Sequence, residues 1–282
     1  LHCPAMPEPS ILQPVLLVPI AAIVLAVLVW RRVLTRDALA GAPGRSIGLG
    51  FADVVIGVGL TVIGMAFFGV AAGALGLAAD AEGPPAMAVA TVLVSQLCVQ
   101  APPVIYFIAR ARAASDGVAG LRRVGLVPTR PIRDLGAGVV GFCVAAPVVL
   151  GVLVATGAVA TLLGRPPDPV GHELLGIMLD PRAGLQAKAL LAVAVVLFAP
   201  ILEEVIYRGL LQSSLVEALG GRRWTAILLT SLLFAVIHLP SVEPHAIPGL
   251  VALAVAMGFL YERTGSLWPS ILVHALFNAT NL

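Results

Sequence analysis

The residues best suited to chemistry lie in the last third of the chain and begin with Glu203, Glu204 and Arg208, an EExxxR pattern. Glu204 and Arg208 are four residues apart, so they share one face of a helix and can form an ion pair. Glu203 is rotated by about 100° from Glu204, because an α-helix has 3.6 residues per turn. The two carboxylates can therefore differ in function, with Glu204 as a structural clamp and Glu203 as a general base that faces a cavity.

Two histidines and an asparagine follow on later apolar segments. His238 ends an apolar run that begins at Phe234, and His274 lies four residues before Asn278 on the same helical face. For peptide hydrolysis, Glu203 helped by His238 would deprotonate a water. His274 with Asn278 would then donate hydrogen bonds to the oxyanion. These groups are also compatible with a metal mechanism, in which Glu203, His238 and His274 bind Zn²⁺ and water takes the open position. The residues alone do not choose between the two mechanisms.

Composition indicates that these polar groups lie inside a membrane. Of the 282 residues, 59% are hydrophobic and 11% are charged, whereas a soluble globular chain has about 25% charged residues. An ionisable side chain at membrane depth costs about 2.5 to 3.5 kcal/mol on insertion scales, so its presence favours a functional site. The net charge of +2 comes without the clustered basic run that nucleic acid would require. We expect a peptide or protein substrate and a lipid bilayer as partners, and no nucleic acid.

The elements that must position the polar groups are membrane helices. A spanning helix needs about 20 mainly apolar residues. Eight segments approach or exceed this length, at residues 11–30, 54–79, 86–109, 135–163, 185–202, 224–240, 246–261 and 267–282. The sequence therefore predicts an all-α, polytopic bundle of about eight transmembrane helices. We expect a single membrane domain over residues 1–282, with its catalytic core at 185–282.

The distribution of basic residues predicts the orientation, because Lys and Arg collect in cytoplasmic loops. With the N-terminus outside, most of the 17 Lys and Arg residues fall in inside loops. The outside connections then hold only Arg165, Arg182 and Lys188. We expect a multi-pass integral protein of a bacterial-type inner (plasma) membrane, with both termini outside.

Gln96 and Gln100 are a polar pair on the third predicted helix. They are four residues apart and therefore share one helical face. Carboxamides inside a membrane commonly form hydrogen bonds between helices. We expect these two residues to be interhelical hydrogen-bond partners and not substrate ligands.

The three motifs resemble those of the type II CAAX prenyl endopeptidases, also called the CPBP family of intramembrane proteases, which includes bacteriocin-processing and self-immunity proteins. The resemblance covers roughly residues 185–282, and the motifs follow the family's order: Glu203-Glu204 with Arg208, Phe234 with His238, and His274 with Asn278. It implies an eight-helix membrane bundle with a cavity reached from the cytosolic side or from the bilayer. It also implies that Glu203 and His238 activate the water and that His274 and Asn278 form the oxyanion side. Tyr207 departs from the family, which more usually has Phe there.

The leading prediction is therefore an intramembrane endopeptidase that cleaves a peptide bond near the cytosolic membrane face, with Zn²⁺ as the one candidate cofactor. A non-proteolytic bacteriocin self-immunity or scaffold protein is the alternative within the family, and its polar groups would only hold helices together. A proton-coupled transporter is the alternative of another class. Transporters commonly have repeated halves with broken helices, and the sequence has neither feature.

Overall fold

The computed structural model describes residues 12–43, 47–77, 84–167 and 173–282. Eight main helices run through these residues, namely α1 (Leu12–Trp30), α2 (Phe51–Ala74), α3 (Pro85–Ala113), α4 (Pro131–Leu162), α5 (Leu185–Ala218), α6 (Arg223–Ile237), α7 (Ile247–Thr264) and α8 (Trp268–Asn281). Shorter helical segments lie at Arg36–Leu39, Val118–Arg123, Glu173–Leu179 and Pro244–Ala246. The described ranges contain no β-strand, which confirms the all-α prediction.

The eight main helices correspond to the eight predicted apolar segments. By length and hydropathy, α2, α3, α4, α5 and α7 with its preceding turn can each cross a membrane, while α1 and α6 are shorter apolar helices. Helix α5 continues to Ala218, well past the predicted end at residue 202. The charged residues after 202 lower the hydropathy there, but the bundle buries them, so the helix does not end. Residues 11, 78 and 79, at the ends of two predicted segments, lie outside the described residues.

Large apolar side chains cover the outside of the bundle. On α2, for example, Ile63, Phe67 and Val70 are 64%, 63% and 72% exposed. Soluble monomers rarely expose contiguous apolar patches of more than a few hundred Å², whereas a lipid-facing surface is apolar. Together with the five spanning helices, this surface defines an integral membrane protein.

The helices that carry the polar residues meet around the middle of α5. Helix α4 packs against α1, α7 and α8, and α7 also packs against α6. Helix α5 contacts α3, α6 and α8. Fully buried apolar side chains fill the space between these helices, among them Phe107, Leu210, Leu253 and Met257. The packing therefore brings residues of α3, α5, α6 and α8 to one place.

Three helical segments near the middle of α5 have wider turns than an α-helix. Gln96–Gln100 in α3 and both Ala194–Phe198 and Val205–Gln212 in α5 are π-helical. Pro102 follows the first of these segments and Pro200 follows the second. A proline inside a helix lacks an N–H, and its ring clashes with the carbonyl four residues earlier. A widened turn relieves the clash and leaves carbonyl oxygens free for other donors, and such turns are frequent at functional sites.

Candidate active site

Glu203 lies in the α-helical stretch of α5 between its two π segments. One side of its carboxylate is held in place, since Nε2 of Gln100 on α3 donates a hydrogen bond to Oε1 at 3.1 Å. The other oxygen, Oε2, is buried and has no hydrogen-bond partner among the described residues. Burying a carboxylate oxygen without a donor is costly, so such atoms occur mainly where a water or a reaction requires them.

His238 directly follows the last residue of α6. Its Nδ1 lies 2.6 Å from the carbonyl oxygen of Phe234. Because a carbonyl can only accept a hydrogen bond, Nδ1 is the donor, and the lone pair of the neutral ring is therefore on Nε2. Nε2 lies 3.8 Å from Oε2 of Glu203, and the side chain of His238 is 26% exposed. His238 is thus the more accessible of the two imidazoles.

His274 lies on α8 and is buried. Its Nδ1 lies 3.0 Å from Oε1 of Glu204, the carboxylate that is paired with Arg208. The carboxylate is an acceptor, so Nδ1 of His274 donates, and the lone pair of the neutral ring is again on Nε2. This Nε2 lies 3.8 Å from Oε2 of Glu203. The two histidines therefore present the same ring atom to the same carboxylate oxygen.

Three acceptor atoms converge as a result, one each from Glu203, His238 and His274. Both nitrogen-to-oxygen distances are 3.8 Å, which is too long for a direct hydrogen bond. One water can bridge such a distance with hydrogen bonds of about 2.8 Å to each atom. The structure therefore brings together the three residues that the sequence predicted as the centre of the site. Their chemical roles stay predictions.

Glu204 and Arg208 lie in the geometry of the predicted structural ion pair. Nη1 of Arg208 donates to Oε1 of Glu204 at 2.7 Å, and both side chains are buried. Nη2 of Arg208 also donates to the backbone oxygen of Ala254 on α7 at 3.1 Å. Removing one partner of such a buried pair costs about 3 to 5 kcal/mol, because a charge is left uncompensated. Glu204 also accepts from His274, so the pair sets the orientation of that imidazole.

The buried ring of Phe234 lies at the centre of these groups. Its centroid is 4.6 Å from that of His238 and 5.7 Å from that of His274. Tyr207 packs edge-on against it at 5.0 Å, and the guanidinium of Arg208 lies over its face at 5.0 Å. Contacts of this kind contribute about 0.5 to 1.5 kcal/mol each. Phe234 thus restricts the rotation of both imidazoles.

Asn278 lies one turn after His274 on α8. Its Nδ2 donates to the carbonyl oxygen of Val195 at 2.9 Å. In the π segment of α5, the N–H for this carbonyl would come from five residues later, but that residue is Pro200 and has no N–H. Asn278 replaces the missing donor and joins α8 to α5. Its predicted role as an oxyanion donor requires the second N–H of the amide, and that role stays a prediction.

Gln96 and Gln100 both connect α3 to α5, which confirms that they are interhelical hydrogen-bond partners. Nε2 of Gln96 donates to the backbone oxygen of Ala194 at 3.2 Å, whereas Gln100 donates to the carboxylate of Glu203. Sequence reasoning misses Gln100 as a site residue, because nothing in the spacing of the chain relates it to Glu203. The sequence feature that could have indicated Gln100 is a pair of polar residues shortly before two prolines in an otherwise apolar helix.

Buried polar atoms that have no partner concentrate at this site. Within the described ranges, six side-chain atoms of this kind occur, and four belong to Gln100, Glu203, Glu204 and Arg208. The other two are serine hydroxyl oxygens. Native proteins keep few such atoms, and each indicates an ordered water or a functional requirement. Their concentration singles out this part of the bundle as the candidate active site.

The site fits a metal ion in its chemistry and not in its geometry. Two imidazole Nε2 atoms and a carboxylate oxygen are ligands that Zn²⁺ accepts, and both Nδ1 atoms already donate to oxygen atoms, as in metal-bound histidines. However, the part of the chain that the structure describes has no group of three His, Cys, Asp or Glu residues arranged to hold a metal ion. The binding of Zn²⁺ by Glu203, His238 and His274 therefore stays a prediction.

The fold and the site together define a helical membrane protein with a buried glutamate and histidine centre. In a comparison with known families, residues 185–280 match the Rce1-like type II CAAX prenyl endopeptidases. These residues are therefore similar to the domain that defines that family. The matched range contains Glu203, His238 and His274, whereas Gln100 lies outside it.

One curated relative is consistent with this family. The chain is 41% identical over 86 residues to the UPF0177 protein YaiF of Lactococcus lactis subsp. lactis (strain IL1403). The match covers 30% of this chain and 36% of that protein, so the chain spans about a third of the relative's length. No solved structure matches the chain.

Proposed function

We propose that the protein is an intramembrane endopeptidase in which Glu203 activates a water to hydrolyse a peptide bond near the cytosolic membrane face. The observation that carries the proposal is the convergence of Oε2 of Glu203 with Nε2 of His238 and of His274, at 3.8 Å each. The match of residues 185–280 to a peptidase family supports the same class of reaction. The substrate is a peptide or protein that lies in or at the bilayer.

Glu203 acts as the base in the first step. Its Oε2 accepts a proton from the water while the water oxygen forms a bond to the carbonyl carbon of the substrate. The π electrons of that carbonyl move to its oxygen, which becomes an oxyanion. The proton then passes from Glu203 to the leaving nitrogen as the C–N bond breaks. Gln100 holds Oε1 in a hydrogen bond, so Oε2 stays directed at the histidines.

The two histidines have different roles because their Nδ1 atoms have different partners. Nδ1 of His238 donates to a neutral carbonyl, so the lone pair on its Nε2 suits a hydrogen bond from the attacking water. Nδ1 of His274 donates to the carboxylate of Glu204, which fixes the orientation of the ring so that Nε2 faces the reaction site. His274 donates from Nε2 to the oxyanion once Nε2 has taken up a proton from the solvent, and it returns that proton to the solvent when the oxyanion collapses. The second N–H of Asn278 is the proposed additional donor.

A peptide-library cleavage assay with the purified protein in liposomes tests the proposal. Glu203→Gln should abolish cleavage while the protein stays folded and inserted. The matched control is Glu243→Gln, which removes a carboxylate in the connection between α6 and α7 and should leave cleavage unchanged. Full activity of the Glu203→Gln variant would contradict the assignment. Assays with and without a chelator test the metal-free steps, and loss of activity that Zn²⁺ reverses would replace them with a metal-assisted mechanism.

The same variants separate the two alternative functions. A non-proteolytic immunity or scaffold protein would keep its function in Glu203→Gln and lose it when Arg208 is replaced. A proton-coupled transporter would show substrate-driven proton uptake into liposomes without hydrolysis of any peptide. Hydrolysis that depends on Glu203 would exclude both alternatives.

A further inference from the structure

A second polar concavity lies at the end of the bundle where α7 meets α8. Its volume is about 490 Å³, within the range of about 300 to 1,000 Å³ that small-molecule sites occupy. The α7–α8 connection and the start of α4 form much of its wall. Glu203, His238 and His274 do not line it. This pocket is therefore separate from the candidate active site.

The pocket carries an excess of positive charge. Four arginines line it: Arg122, Arg130, Arg133 and Arg263. A single lining carboxylate, Asp134, is buried, and its Oδ2 accepts a hydrogen bond from Oγ of Ser266 at 2.7 Å. One of the arginines, Arg263, donates to the backbone oxygen of Ala38 at 3.2 Å. The other three form no ion pair with any described residue. Their guanidinium groups are free to bind an anion.

The wall of the pocket is held in place by hydrogen bonds between distant segments. The backbone N–H of Leu267 donates to the carbonyl of Gly125 at 3.0 Å, and Nε1 of Trp268 donates to the carbonyl of Leu126 at 3.0 Å. Gly125 has a φ of +76°, and a Cβ there would clash with the backbone of Gly265. A wall of this kind exists before any ligand binds, which reduces the entropic cost of binding.

Apolar side chains beside the arginines indicate that the pocket lies at a membrane surface. Ile132 and Leu135 on α4 are 86% and 58% exposed, and Trp268 at the start of α8 is 39% exposed. Ile132 lies between two of the lining arginines in the sequence. Tryptophan is enriched at membrane–water interfaces, and exposed aliphatic side chains next to arginines match the boundary between acyl chains and headgroups. A ligand at this position can contact both layers.

We propose that this pocket binds the phosphate group of an anionic phospholipid from the adjoining leaflet. The planar guanidinium group matches phosphate oxygens with paired hydrogen bonds. Basic pockets between membrane helices bind anionic headgroups for this reason. The first turn of α4, a 32-residue helix, adds the partial positive charge of its N-terminus. The inference is independent of the proposed peptidase function.

Native mass spectrometry of the full chain, released from nanodiscs of mixed phosphatidylglycerol and phosphatidylcholine, tests the proposal. The wild type should retain phosphatidylglycerol selectively. Arg130→Gln with Arg133→Gln should weaken this retention roughly 25-fold, since each arginine near a membrane surface contributes about 1 kcal/mol. The matched control, Arg112→Gln with Arg123→Gln, removes two exposed arginines outside the pocket and should retain the lipid like the wild type.

Three outcomes would overturn the assignment. Equal retention of both lipids by the wild type would show that the pocket does not select an anion. Equal losses of lipid retention in the pocket variant and the control would show that the effect comes from general surface charge and not from the pocket. Stabilisation by inorganic phosphate in detergent, without selective lipid retention, would assign the pocket to a soluble anion. Thermal unfolding of each variant checks the fold, and Arg133→Gln alone replaces the double variant if that variant unfolds.

Discussion

Glu203 on α5 and Glu262 on α7 are both enclosed by the bundle, but they differ in hydrogen bonding. Glu262 has a donor on each oxygen, since Nε2 of Gln212 donates to Oε1 at 2.9 Å and Nη1 of Arg223 donates to Oε2 at 3.2 Å. Glu203 has a donor on Oε1 and none on Oε2 within the described part of the chain. A fully satisfied buried network stabilises the fold, whereas an incompletely satisfied one leaves an atom available for reaction.

The difference arises from the kind of neighbour that each carboxylate has. Glutamine and arginine side chains always carry donors, so they satisfy Glu262 permanently. The histidines beside Glu203 use their Nδ1 hydrogens for Phe234 and Glu204 and present lone pairs at Nε2. Because Nδ1 keeps its hydrogen, Nε2 becomes a donor only when the ring takes up a second proton. The number of hydrogen-bond donors around Glu203 can therefore change during a reaction, whereas the number around Glu262 cannot.

The largest expected effect is the loss of catalysis in Glu203→Gln. We expect kcat for peptide cleavage to fall by at least about 1,000-fold, because an amide cannot accept the proton of the attacking water. The shape of the side chain is retained, so the unfolding temperature in detergent should stay close to that of the wild type. Cleavage kinetics and circular dichroism check the two parts. A fall of less than tenfold would remove Glu203 from the role of base.

Glu262→Leu is expected to lower stability and leave catalysis unchanged, the opposite of the effect of Glu203→Gln. This change removes the buried carboxylate that accepts from Gln212 and Arg223 and should lower the free energy of unfolding by about 3 kcal/mol. The kcat of the folded fraction should stay within about twofold of the wild type. Denaturant unfolding followed by tryptophan fluorescence measures the loss, and Glu262→Gln, which retains one acceptor, should lose less. A large fall in kcat without a loss of stability would show that the satisfied network also takes part in the reaction.

A smaller effect is expected from Gln100→Leu, which removes the donor to Oε1 of Glu203. The carboxylate is then free to rotate, so kcat should fall about tenfold, which is the effect expected from the loss of one hydrogen bond to a charged group. The KM should stay unchanged. Gln96→Leu is the matched control, because Gln96 donates to a backbone carbonyl of the same helix pair. It should lower stability by about 1 kcal/mol and leave kcat unchanged. Identical kinetics for the two variants would reduce Gln100 to a structural contact.

The smallest effect is expected for Tyr207→Phe. The aromatic contact with Phe234 at 5.0 Å involves the ring, which phenylalanine retains. Both kcat and the unfolding temperature should therefore stay close to the wild-type values, within about twofold for kcat. Steady-state cleavage kinetics measure this directly. A tenfold loss of kcat would add the Tyr207 hydroxyl to the catalytic groups.

Hydropathy predicted the positions of the main helices because helices that face lipid are mainly apolar along their length. It was less informative for α5, where Glu203, Glu204 and Arg208 lower the local hydropathy although the helix continues to Ala218. Burial and pairing of these charges depend on α6, α7 and α8, which lie far along the chain. A local average of hydropathy cannot contain that information.

The candidate site was predictable in its composition and less so in its contacts. Ionisable groups inside a membrane are expensive, so Glu203, His238 and His274 stood out by residue type alone. The hydrogen bond from Asn278 to Val195 was not predictable, because it depends on a π turn and on the missing N–H of Pro200. Gln100 was expected to bond to another helix, but its partner could not be named.

The sequence by itself determined the helical bundle, its membrane setting and the residue types available for hydrolysis, because hydropathy and helical spacing are properties of single segments. The tertiary structure alone decided which oxygen of Glu203 lacks a donor, that both histidines present Nε2 to it at 3.8 Å, and that α3 contributes Gln100. These features depend on how four helices pack against one another. Spacing along one helix reports which residues share a face, and it contains no information about which helix that face meets.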